Sequence, residues 1–176
     1  MVGGAAVPER LVWAARRLGF APGDRLLEIG CGQGVAASLV CAGLTGGRLV
    51  GLDRSPFAIA AALRRNAVHV AAGRAAFLEA SLAGADLAGD RFDIAFAVNV
   101  NLFWLKPARE LPVVRAALAP GAPLHLFYQP PDARRTAPIL ERLHGNLGCA
   151  GFVVDKVHRE TRGPAELLHL RARSPA

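Results

Sequence analysis

Gly30, Gly32 and Gly34, set at alternate positions directly after the apolar run Leu26-Leu27-Glu28-Ile29, constrain this chain more than any other feature. A short apolar run that enters a glycine turn reads as a strand covered on both faces, the kind found inside parallel sheets. Glycine leaves the main chain bare and free to take positive φ, so a ligand can approach the backbone closely there. From Val35 to Leu44 the chain is small and apolar, which predicts a helix whose N-terminal amides face the loop. Strand, glycine loop and helix in that order form a seat for a nucleoside cofactor.

Spacing selects among such seats. The dinucleotide fingerprint needs a further glycine where Val35 stands, and the phosphate-binding loop needs a Lys followed by Ser or Thr that this chain lacks. Glu28-Ile29-Gly30-Cys31-Gly32-Gln33-Gly34 instead resembles, at every defining position, the first motif of the class I S-adenosylmethionine-dependent methyltransferases. The resemblance implies S-adenosylmethionine as cofactor, held at Glu28, Gly30, Cys31, Gly32 and Gly34. A second acid agrees with it. Arg48 to Asp53 reads as the next strand and ends in a carboxylate roughly twenty residues past the loop, where doubly wound folds place the acceptor for ribose hydroxyls. By the same resemblance Asp53 takes both hydroxyls, and Arg54 lies near the adenine edge.

Two more positions follow from the family pattern. Phe77-Leu78-Glu79-Ala80-Ser81-Leu82 is similar to the end of the family's third strand, where Gly-Asp or a like pair commonly holds the adenine. Here Ala80-Ser81 stands instead, a hydroxyl in place of a carboxylate. That implies Ser81 on the adenine amino group, with the amide of Leu82 beside it. Phe92 to Asn99 resembles the fourth motif, which places Asn99 at the methionine end of the cofactor.

The rest of the chain alternates as a doubly wound fold requires. Helices are expected at Pro8 to Leu18, Pro56 to Val70, Pro107 to Leu118 and about Ala133 to Leu147. Ser55 before Pro56 is an N-cap followed by proline at the first helical position. Strands are expected at Arg74 to Glu79, Arg91 to Val98, Ala122 to Tyr128, Phe152 to His158 and Leu167 to Arg171. The expected architecture is α/β: a doubly wound, mostly parallel seven-stranded sheet with helices on both faces, whose last two strands form an antiparallel hairpin in the resembling family. One domain over residues 1–176 is anticipated, with residues 1–24 as a helical segment and partial lid.

Composition excludes other classes. Of the 176 residues 52% are hydrophobic and 20% charged, which suits a packed core and not a disordered chain. No apolar stretch free of charge and proline is long enough to span a bilayer, and Met1-Val2-Gly3-Gly4 lacks the basic start of a secretion signal, so no membrane partner and a cytoplasmic setting are expected. Cys31, Cys41 and Cys149 are odd in number and form no Cys-x-x-Cys pair, so neither a disulfide framework nor a metal site is expected. The net charge of +7 is carried almost wholly by scattered arginines with no aromatics between them, which weighs against nucleic acid.

Chemistry should lie beyond the carboxyl ends of strands one and four, where strand order reverses. Asn101, Trp104 and Tyr128 are the expected substrate contacts. His69, His125, His144, His158 and His169 fall away from that crevice, so the catalytic base is left unassigned. The family's nucleobase and protein-glutamine branches usually carry an Asn- or Asp-Pro-Pro-aromatic motif after strand four. Asn99-Val100-Asn101-Leu102-Phe103-Trp104 stands there instead and resembles the small-molecule branch. The expected reaction is methyl transfer to an oxygen or nitrogen of a small molecule. Methylation of RNA or another macromolecule is the alternative, and a cofactor-binding accessory protein or a non-methylating enzyme on this fold is the second alternative. With so little chain available as a lid, Val2 to Pro8 or a second subunit of a homodimer is expected to supply the cover.

Overall fold

Short apolar strands joined by helical crossovers can pair in parallel only if both faces of the sheet are covered, and the chain folds that way. The computed structural model describes residues 6–87, 89, 91–162 and 165–174. Strands β1 (Arg25–Ile29), β2 (Arg48–Asp53), β3 (Ala75–Glu79), β4 (Ile94–Val98) and β5 (Pro123–Tyr128) run parallel. Two longer strands, β6 (Val153–Arg162) and β7 (Ala165–Arg173), form an antiparallel hairpin, with β7 paired antiparallel to β5. The order across the sheet is β3-β2-β1-β4-β5-β7-β6, so successive strands are added to one side of β1 up to β3 and to its other side from β4 on, and the strand order reverses between the parallel neighbours β1 and β4.

Alternation along the strands sorts side chains into two layers. Leu27, Ile29, Val50 and Leu52 face a core shared with helices α5 (Leu102–Leu105), α6 (Glu110–Ala117) and α7 (Thr136–Cys149), through Phe103, Leu111, Val114 and Leu143. Leu26 and Leu49 face the opposite core, built with α1 (Glu9–Arg17), α2 (Val35–Cys41) and α3 (Pro56–Arg65), through Trp13, Val40 and Ile59. Between β3 and β4 the described residues hold only a 3-10 turn, Leu82–Gly84, where the other parallel crossovers carry α-helices.

Two expectations are corrected. The helix anticipated from Pro56 to Val70 breaks at Asn66, and α4 (Ala67–Ala71) follows. Asn66 is fully buried and its Nδ2 donates to the carbonyls of Ala62 at 3.0 Å and of Gly34 at 2.9 Å, so its side chain fastens the glycine loop to the end of α3. The second correction is α5, a single turn that the sequence pattern did not show. The segment expected as a partial lid is described only from residue 6 on. In α1, Trp13 Nε1 donates to Glu160 Oε2 at 2.7 Å and Arg17 pairs with the same oxygen, pinning the helix to the hairpin in the α2 layer. Residues 2–5 of the anticipated cover lie outside the described residues. Among those described, no helix is long and apolar enough to cross a membrane.

The buried titratable groups predict a stability maximum. His125 and His169 stack in the core at 5.1 Å between centroids, and burial, with nearby arginines, pushes their pKa values down to about 4 and about 3. Below pH 6.5 the unfolded chain takes up two protons that the fold refuses, so stability falls as pH drops toward 4. Glu28 acts in the other direction. Burial pushes its carboxyl up to about 8, so its contribution is full below about 4.5 and is lost as pH rises through 8. For the protein alone, the urea midpoint should therefore peak near pH 6.5 and decline on both sides, by an order of 1 kcal/mol per pH unit. A midpoint still rising from pH 6.5 to 8.5 contradicts this.

Candidate functional site

Asp53 organises the site. It ends β2 beside the glycine loop, and both carboxylate oxygens accept backbone amides: Oδ2 from Gly32 and Oδ1 from Ser55, each at 2.9 Å. The loop itself is wound by positive φ at Gly30, Gly32 and Gly34, at 69°, 53° and 71°. Their surroundings differ. A Cβ at Gly30 would press on the Val100 side chain at 2.6 Å, and one at Gly34 on Asn66 Nδ2 at 2.6 Å and Ala62 Cβ at 2.9 Å. At Gly32 nothing stands within 4 Å, so the one glycine next to Asp53 faces open space.

A cavity of about 460 Å³ opens at the carboxyl ends of the strands, on the α5 and α6 side of the sheet. Gly30, Asp53, Arg54, Ser81 and Leu82, all expected at the cofactor, line it, as does Asn101, expected at the substrate. Val100, Leu102 and Leu105 give it an apolar wall, and Glu110 stands at the first turn of α6. One Glu110 carboxylate oxygen, Oε2, is shut off from solvent without a hydrogen-bond partner.

Other expected residues are held elsewhere. Cys31 has its side chain buried and its amide donating to the Leu52 carbonyl at 2.8 Å, so it joins loop to sheet and is not among the residues that line the cavity. Burial pushes its thiol up, which leaves it unreactive. Glu28 lies beneath the loop against α2, where the Ala37 amide donates to it and Oε2 has no partner. Desolvation among apolar neighbours is the main cause of its raised pKa. Gly34, packed on α3, also lies off the cavity wall.

Asn99, expected at the methionine end of the cofactor, is likewise not among the residues that line the cavity. It turns the chain at φ 57°, the positive-φ residue other than glycine among those described, and its Oδ1 accepts the Gln129 amide at 2.8 Å. Its carboxamide thus ties the ends of β4 and β5, while Val100 and Asn101 reach the cavity. Tyr128 is buried and its hydroxyl donates to the Val100 carbonyl at 2.9 Å, so it supports that wall from behind. Trp104 lines a neighbouring cleft of about 170 Å³ together with Arg134, Arg135 and Arg142. Those arginines lie some thirty or more positions away in sequence, which is why no basic and aromatic pattern was visible along the chain. Glu110 and Asn66 were also missed, since a lone polar residue at a helix end carries no signal of its own. Among the described residues no cluster of His, Cys, Asp or Glu could hold a metal ion.

The arrangement suits a nucleoside bearing an amino-acid tail. Asp53 keeps lone pairs beyond its two backbone bonds for ribose hydroxyls, and Gly32 leaves room for close approach. The family model "Methyltransferase domain" matches residues 27–124. A search of curated protein sequences finds no significant match. Among solved structures, a SAM-dependent methyltransferase from Aquifex aeolicus superposes with a TM-score of 0.75 at 16% identity, covering 93% of this chain and 88% of its own. The [4+2]-cyclase SpnF superposes at 0.77 with 18% identity, covering 96% and 81%. Geranyl diphosphate methyltransferase in complex with SAM superposes at 0.71 with 10% identity, covering 94% and 84%. At these identities the superpositions speak for the fold.

Proposed function

The chain belongs to the methyltransferase domain family, with S-adenosylmethionine as its cofactor, and on that premise we propose that it transfers the methyl group to an oxygen or nitrogen of a small-molecule acceptor. The observation that carries the reading is the Asp53 bracket: a carboxylate fixed by two amides, open on its remaining lone pairs, beside the unobstructed Gly32. Glu28 adds support, because its unpartnered buried oxygen lies under the same loop.

When bound, the cofactor supplies an activated methyl on a positively charged sulfonium, and the protein contributes alignment and exclusion of water. In this reading Asp53 holds the ribose, Gly30 and Gly32 admit the methionine portion, and Ser81 and Leu82 border the purine. Val100 and Leu102 keep the cavity apolar. The acceptor enters beyond Asn101, toward Trp104 and the arginines around it. A small anionic or aromatic acceptor suits that cleft, and the domain acts as a single unit across the chain.

Calorimetric titration with S-adenosylmethionine should show one site per chain, and incubation with a panel of phenols, amines and carboxylates should release S-adenosylhomocysteine with at least one of them. Absence of cofactor binding by the folded protein would end this reading. Methylation of RNA is the second reading, and the arginine cleft beside Trp104 favours it. Steep weakening of RNA binding with added salt supports that alternative, and no binding even at low salt removes it.

A further inference from the structure

The cleft between α5 and α7 is open to solvent, and its charges do not balance. α5 lies on α7, where Asn146 Nδ2 donates to the Phe103 carbonyl at 2.9 Å, and Trp104, the next residue, borders the cleft. Arg135, Pro138, Ile139 and Arg142 recur at helical spacing along one side of α7 and form the opposite wall. Asp132, at the foot of that helix, gives its side-chain hydrogen bonds to Arg134 at 2.7 and 2.9 Å and feels Arg135 only through space. Arg135 and Arg142 make no hydrogen bond or salt bridge among the described residues, and no acid lines the cleft. Three guanidinium groups thus stand against one carboxylate. Guanidinium groups grip carboxylates and phosphates through paired N–H donors, and an indole offers its face to an aromatic ring.

Trp104 joins this cleft to the cofactor cavity. Its Nε1 donates to Asn101 Oδ1 at 3.3 Å, and Asn101 lines that cavity. Side chains three positions apart on a helix are only about 5–6 Å apart at Cβ, so a molecule of one ring with its substituents reaches from Asn101 to the arginines. Resting on the methyltransferase reading above, we propose that the acceptor is an aromatic acid: Arg135 and Arg142 take its carboxylate or phosphate, Trp104 covers its ring, and the hydroxyl or amine that receives the methyl lies at its other end, beside Asn101. The oxyanion is the anchor and is not itself methylated. A volume of about 170 Å³ admits one ring with its acid group, which favours a small molecule over a nucleic-acid strand.

The test is calorimetry on the protein saturated with S-adenosylhomocysteine, with 4-hydroxybenzoate, 4-hydroxyphenyl phosphate and the neutral 4-hydroxybenzamide as probes. The native chain should bind at least one of the two anions about 10-fold or more tightly than the amide, and the tighter anion shows which acid group the cleft takes. In the double variant Arg135→Gln, Arg142→Gln that preference should fall within about threefold, with native affinity for S-adenosylhomocysteine and an unchanged melting temperature, since both side chains are exposed. Trp104→Ala should weaken all three probes alike. A preference that survives the double substitution overturns the inference and leaves the cofactor reading standing, and so does a native chain that binds neither anion better than the amide. An RNA oligonucleotide that displaces 4-hydroxybenzoate from the native chain and is lost in the double variant overturns it in favour of nucleic acid. Failure of the native chain to bind S-adenosylhomocysteine overturns the methyltransferase reading as well.

Discussion

Asp53→Asn should bind S-adenosylmethionine about 10- to 100-fold more weakly than the native chain, a loss close to that of Asp53→Ala. An amide of the same shape would ordinarily be the mild replacement. Here it is not, because both carboxylate oxygens receive backbone N–H groups, from Gly32 and from Ser55. Whichever way the Asn carboxamide is turned, its NH₂ faces one of those donors. The repelled amide loses its partner, the loop that Gly32 belongs to shifts away from β2, and the remaining oxygen is drawn from the position suited to ribose. The unfolding free energy should fall by about 1–3 kcal/mol in the same variant, the cost of a half-buried polar group left unpaired. Calorimetry and urea unfolding measure the two effects separately. Native affinity in Asp53→Asn would show that the ribose is held elsewhere.

The second large effect separates two glycines of one motif. Gly34→Ala should cost several kcal/mol of stability, since a residue with Cβ at φ 71° is strained by roughly 1–2 kcal/mol before any contact. The added methyl then meets Asn66 Nδ2 at 2.6 Å and Ala62 Cβ at 2.9 Å, both fixed in a buried interface and neither able to withdraw cheaply. Gly32→Ala carries the same kind of backbone strain, at φ 53°, but its methyl enters open space. It should cost only about 1 kcal/mol in the urea midpoint while weakening cofactor binding at least as much as Gly34→Ala does in whatever folded fraction remains. Equal losses of stability in the two variants would contradict this division of labour.

Much of the frame was legible because its signals are local. Strand β2 runs over Arg48–Asp53 as its pattern predicts, since an apolar run between a turn and a capped helix has little else to form. Ser55 caps α3 by accepting the Ala58 amide, and Pro56 follows at the first helical position. The glycine loop and Asp53 stood out because backbone chemistry demands those residue types at that spacing. Strand and helix boundaries drifted where a tertiary contact decided them. Phe92, expected inside β4, pairs with Leu118 ahead of that strand, and Asn66 stops α3 because its amide is drawn to Gly34 across the layer.

Side-chain direction was the other limit. Cys31, Asn99 and Tyr128 stand at or just beyond the strand ends where site residues belong, yet each is taken up by a partner that pairing along the chain does not reveal: Leu52, Gln129 and Val100. Glu110 and the Trp104 arginine cleft arise from segments far apart in sequence.

By itself, then, the sequence determined the alternation of strands and helices, the glycine loop and the acid at Asp53, because periodicity and backbone conformational freedom act over a few residues, while the reversal between β1 and β4 was implied by the family resemblance and is what the sheet shows. Only the tertiary structure decided which polar groups are already satisfied and which face open space. That follows from what packs against each group across the sheet, and it distinguishes Gly32 from Gly34.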